Sequence, residues 1–165
     1  MDNLSIESLL SIAIAIECNG AEFYRNAANM VQSPMKEEFY EMANMEDAHM
    51  HTFQRIKQMV QEKAQASEPI EINQATQNYL QSVMEGSIID PTTEINPSDF
   101  KSLKDVIDFS INEEKDTIVF YQCLKSSISE PTINKLLDEI IQQEIIHMMD
   151  LNKRLTDHQQ NASES

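Results

Sequence analysis

Two Glu-x-x-His motifs, Glu46-x-x-His49 and Glu144-x-x-His147, stand out in this chain of 165 residues. Residues three apart on a helix share a face, so each motif presents a carboxylate and an imidazole side by side. In both cases the pair falls on the apolar stripe of a helical stretch. Two further glutamates, Glu17 and Glu114, fall on the apolar stripes of two other stretches, each seven residues before a tyrosine, Tyr24 and Tyr121. Burying one carboxylate alone costs several kcal/mol or forces it to pick up a proton. Four glutamates and two histidines in one core, without an inward lysine or arginine, are tolerable if cations sit among them. Two divalent ions neutralise four carboxylates. Oxygen-rich ligation with one imidazole per ion suits iron or manganese, whereas structural zinc more often takes thiolates.

These residues come in a repeat. Glu17 to Tyr24 matches Glu114 to Tyr121 at an offset of 97, and Pro34 and Pro131 keep the same offset. Glu46–His49 matches Glu144–His147 at an offset of 98, so one inserted residue separates the halves. Such a repeat predicts two helical hairpins related by an approximate two-fold axis.

The elements follow from the periodicity. Helices are predicted from about Ser5 to Val31, Pro34 to Lys63, Ser102 to Ser126 and Pro131 to Asp157. Pro34 and Pro131 read as first helical positions, and Ser102-x-x-Asp105 resembles a capping box. The chain is therefore expected to be all-α: an antiparallel four-helix bundle with one long crossover, residues 64–101, between helices 2 and 3. The bundle is expected over residues 1–157, with a short helix within Ile72–Ile88 and a frayed, disordered tail over residues 158–165. Two glycines and five prolines are too few for an all-β fold.

Charge narrows the partners. Twelve basic against 28 acidic residues give a net charge of −16, which disfavours nucleic acid and anionic membranes and favours cations. Cys18 and Cys123 form no C-x-x-C pair, and no stretch reads as a signal peptide or a membrane span, so a cytoplasmic location is expected. Glu22, Glu37, Glu38 and Glu41 fit a solvated face, His51 and His158 a surface position, and the ten methionines flexible core filling.

The doubled pattern, over about residues 5 to 155, resembles the rubrerythrin branch of the ferritin-like superfamily. Classical ferritins carry one Glu-x-x-His motif in the bundle, and the second one here favours the rubrerythrin type. By this resemblance Glu17, Glu46, His49, Glu114, Glu144 and His147 are metal ligands for two iron ions per chain, with manganese or a mixed centre as the alternative. Tyr24 and Tyr121 are hydrogen-bonding groups beside the centre. The resemblance implies an oxidoreductase reducing hydrogen peroxide, or reacting with O2, and a homodimer. Rubrerythrins often append a paired-cysteine iron domain and place an additional Glu one turn after the third-helix ligand. This sequence has neither; Thr117 occupies the second position. If Glu113 were the ligand instead, Asp116 would take the extra place. An external rubredoxin-like or flavoprotein donor is then required. A ferroxidase or iron-storage protein, and a helical interaction module without metal, are the alternatives.

Overall fold

Ser5 opens the first helix. Its hydroxyl accepts a hydrogen bond from the Ser8 amide at 3.0 Å, satisfying one of the donors that a helix N-terminus leaves open. The computed structural model describes residues 5–66, 74–76, 78 and 95–163. Its long helices are α1 (Ile6–Ala28), α2 (Met35–Ala66), α3 (Leu103–Ser126) and α4 (Pro131–Ser163), with a single 3-10 turn at Pro97–Asp99. No strand occurs among the described residues. Helices α1 and α2 form one antiparallel hairpin and α3 and α4 the other, and the two hairpins pack together as a bundle.

The expected all-α architecture is the one found, with adjustments at the helix ends. Ser102 caps α3, its hydroxyl accepting from the Asp105 amide at 3.2 Å. Pro131 is the first residue of α4, whereas Pro34 lies one residue ahead of α2. Helix α1 ends at Ala28 rather than Val31. Helix α2 runs on to Ala66 rather than Lys63, and α4 to Ser163 rather than Asp157. The segment expected as a frayed tail is therefore helical as far as Ser163. The residues by which α2 outruns its expected end, Ala64, Gln65 and Ala66, are good helix formers, and Pro69 stands three residues beyond Ala66. Most of the crossover, with the short helix expected within 72–88, lies outside the described residues; 74–76 and 78 are helical. Among the described residues no helix is long and apolar enough to cross a membrane.

The core is divided along the bundle axis. One apolar cluster gathers Leu9, Leu10, Phe53, Ile56, Phe120, Tyr121, Leu124 and Leu137; the other gathers Phe23, Tyr24, Phe39, Ile107 and Leu151. Burying each such side chain contributes roughly 1.5–3 kcal/mol. Between the clusters lies a polar layer made of one stretch from each helix. The apolar ends hold the four backbones at fixed spacing and thereby set the geometry of that layer.

Candidate metal centre

All six residues singled out from the repeat point into this layer. Glu17 and Glu144 are 1% exposed, His49 and His147 2%, and Glu46 and Glu114 5%. Helix α1 supplies Glu17 and α3 supplies Glu114. Helices α2 and α4 each supply a Glu-x-x-His pair, whose spacing puts both side chains on the inward face.

The six form two overlapping groups. Glu17, Glu46, His49 and Glu144 offer ligand atoms within 4.8 Å of one another, and so do Glu46, Glu114, Glu144 and His147. Glu46 and Glu144 belong to both. His49 Nδ1 lies 2.9 Å from Glu144, 3.4 Å from Glu17 and 3.4 Å from Glu46. His147 Nδ1 lies 3.0 Å from Glu144, 3.6 Å from Glu46 and 3.9 Å from Glu114. Each imidazole thus faces one private glutamate and the shared pair. The two rings are 5.9 Å apart between centroids.

The tyrosines cross between hairpins. The Tyr24 hydroxyl donates to Glu114 Oε1 at 2.6 Å, and the Tyr121 hydroxyl donates to Glu17 Oε1. Each glutamate supplied by α1 or α3 is held by the tyrosine of the other. Burial raises both phenols well above their ordinary range, and the facing carboxylates, Glu114 and Glu17 first among them, raise them further. Both stay protonated and remain donors.

The electrostatics are those of too many carboxylates for the space. Burial pushes Glu46 and Glu114 up, and neighbouring Glu144 adds to it in both. Burial alone would lower His49, but Glu144, Glu17 and Glu46 around it outweigh that and raise it. Burial works on Glu144 in the upward direction, yet the two histidines beside it hold it low. Without metal, protons take the place of cations.

The donor set fits a pair of divalent cations. His49 Nδ1 and Glu144 Oε1 are buried and have no hydrogen-bond partner, despite being 2.9 Å apart. Orphaned atoms of this kind cost free energy unless something occupies the point they face. Four carboxylates and two imidazole nitrogens around two adjacent points form an oxygen-rich, mixed donor set suited to iron or manganese. Glu46 and Glu144, which belong to both groups, would be the residues available to both ions. Gly20 packs beside the Glu46 side chain, where an added Cβ would meet Glu46 Cγ at an ordinary 3.5 Å.

A family model described as rubrerythrin matches residues 8–155. The chain belongs to the rubrerythrin family. A solved structure described as a ferritin-like diiron-carboxylate protein, from Thermotoga maritima, matches this rubrerythrin-family chain over 96% of its length. The match covers 99% of that chain, with a TM-score of 0.68 and 21% identity, and it shows the fold. Among curated proteins no match is found. The buried carboxylate and histidine cluster thus stands in a rubrerythrin-family chain.

Glu114, not Glu113, enters the cluster; Glu113 is half-buried beside Asp116, with Oε1 unpartnered. Thr117 is buried at the repeat position of Gly20. His51 is exposed and bonded to Gln54, Cys18 is exposed and Cys123 half-buried, and the His158 side chain lies outside the described residues. Met45, expected as core filling, is instead 36% exposed, with its sulfur 3.3 Å from His147 Nε2. Gln143, absent from the sequence reading, accepts a hydrogen bond from His49 Nε2 at 2.6 Å. Both residues immediately precede the glutamate of a Glu-x-x-His motif, and the 98-residue offset relates them, a signal the sequence does contain.

Proposed function

We propose that this chain is a non-haem di-iron oxidoreductase that reduces hydrogen peroxide, or reacts with O2, using electrons from an external donor. The observation that carries the reading is the sharing of Glu46 and Glu144 between the two ligand groups. A site for one ion needs no such pair.

Glu17 and His49 would hold one cation, Glu114 and His147 the other, with Glu46 and Glu144 between them. The pair supplies one electron from each ferrous ion and a Lewis-acidic surface for the oxidant. The chain's own residues do the rest. Tyr24 and Tyr121 keep their protons and fix the carboxylates of Glu114 and Glu17, so the ligands do not swing when the charge of the centre changes. The apolar clusters on either side keep bulk water from the layer. Residues 1–165 carry two cysteines, Cys18 and Cys123, and no C-x-x-C pair, and the donor in this reading is a rubredoxin-like protein or a flavoprotein reductase. Peroxide reduction to two waters consumes two electrons and two protons, and re-reduction by the donor closes the cycle.

Anaerobic titration with Fe2+ followed by one equivalent of peroxide tests this. Saturation at two ions per chain, and oxidation of both by that single equivalent, is expected. Ferrous protein that survives peroxide unchanged, or takes up one ion only, would rule it out.

A further inference from the structure

The two halves of the site are related by the repeat but not identical behind the histidines. His49 on α2 meets Gln143 of α4, and His147 on α4 meets Met45 of α2. Gln143 and Met45 are the same repeat position, so the two-fold relation is broken at one pair of side chains. An amide oxygen 2.6 Å from an imidazole N–H is a strong acceptor. It fixes the ring with Nδ1 toward the site and raises the basicity of that nitrogen. A thioether sulfur at 3.3 Å is a weak acceptor on a flexible side chain and does this poorly.

The surroundings differ in the same direction. A cavity of about 170 Å³ is walled by Met42, Met45, His147, Asp150, Lys153 and Arg154. Met45 and the ring of His147 both line this space, with the Met45 sulfur 3.3 Å from His147 Nε2, and Met45 is partly exposed.

We propose that the two cation positions are inequivalent. The Glu17–His49 position is the tightly held one, with Gln143 as its positioning residue. The Glu114–His147 position exchanges divalent cations with solvent through the cavity, with Met45 as its gate. This rests on the two-cation reading above. The cation that enters last and leaves first is the one beside His147.

The test uses the full chain loaded with Co2+ alone, which needs no redox chemistry, and an excess of chelator. Cobalt absorption should decay in two phases of equal amplitude, at least about tenfold apart in rate, the scale on which groups behind a metal-binding histidine act. A crystal frozen between the phases should show anomalous cobalt scattering beside His49 and none beside His147. Neither measurement requires a variant. In variants, Met45→Gln should slow the fast phase and Gln143→Met should accelerate the slow one. The double exchange should reverse which position empties first, a reversal that mere loss of structure does not produce. Release in one phase, or loss from the His49 position first in the unaltered chain, overturns the proposal while leaving the two-cation reading intact. Folded chain that takes up no cobalt overturns both.

Discussion

The hydroxyl of Tyr24, on α1, lies 2.6 Å from a carboxylate oxygen of Glu114, on α3. The return contact, Tyr121 to Glu17, runs from α3 back to α1. These two bonds tie the hairpins together across the polar layer, where apolar packing is interrupted. Each uses the Oε1 oxygen of a private glutamate and leaves its Oε2 unbonded by the phenol. Tyr24→Phe removes the donor and leaves a buried carboxylate oxygen unsatisfied. The metal-free protein is expected to lose about 1–3 kcal/mol of stability, measured by denaturant titration. Metal affinity should fall by about tenfold or more. Tyr121→Phe should behave as its mirror image. Unchanged affinity in both would show that the phenols do not fix the ligands.

Acidity should act on the metal-free protein in a direction opposite to that of most paired carboxylates. Glu46 and Glu114 are raised from an ordinary 4.5 by burial and by their carboxylate neighbours. Their contribution to stability is complete below that value and is lost as the pH rises through the folded-state one. His49, raised from 6.5, behaves alike: its contribution is complete below 6.5 and declines above it. Glu144 is the exception; held low, it stabilises above its ordinary 4.5 and loses this only in strong acid. The melting temperature of stripped protein should therefore fall from about pH 5 to pH 8. Loading with Fe2+ or Mn2+ should abolish the fall, because cations replace the protons. A stripped protein that gains stability over this range contradicts the assignment.

Glu113 offers a control on the same helix. Burial raises it from 4.5 to about 8, with Asp116 adding repulsion, and its Oε1 has no partner. A raised carboxyl stabilises the fold fully below its ordinary value and costs stability once the pH exceeds the raised one. Glu113→Gln copies the neutral form. It should leave stability at pH 4 unchanged, raise it above pH 8 by on the order of 2 kcal/mol given the partial exposure, and leave metal stoichiometry untouched. Loss of a bound ion in this variant would move the helix ligand from Glu114 to Glu113.

Gly20 separates space from backbone preference. A Cβ there meets Glu46 at ordinary contact distance, 3.5 Å. Gly20→Ala should be accepted and should stabilise α1 by up to about 1 kcal/mol, the difference in helix propensity. Gly20→Leu carries atoms into the space of the Glu46 carboxylate and should lower metal uptake even where the chain still melts cooperatively. Thermal melts and metal analysis on the two variants check this. Equal uptake in both would show that Glu46 does not depend on the gap.

Much of this was legible in the residues. Three- and four-residue periodicity marks the four helices, and the 97- and 98-residue offsets pair them and single out the six side chains that converge. Adjacent residues such as Glu113 and Glu114 point about 100° apart on a helix, so only the repeat, not the composition around them, favours Glu114. What periodicity does not give is the neighbour across a helix interface. Gln143 carries no signal in the periodicity and Met45 reads as core, yet each backs a histidine on the opposite helix. The ends of α2 and α4 lie past the last apolar residue of each stripe, where periodicity no longer marks them. Of the short helix expected within Ile72–Ile88, residues 74–76 and 78 are helical and the rest lie outside the described residues.

The central claim is that Glu46 and Glu144 lie between two cations. Anomalous scattering at the iron edge from crystals grown anaerobically with Fe2+ measures this directly. The account predicts two peaks in the polar layer, one beside Glu17 and His49 and one beside Glu114 and His147, with Glu46 and Glu144 between them. A layer without iron, or a single peak with Glu17 or Glu144 turned to solvent, contradicts it.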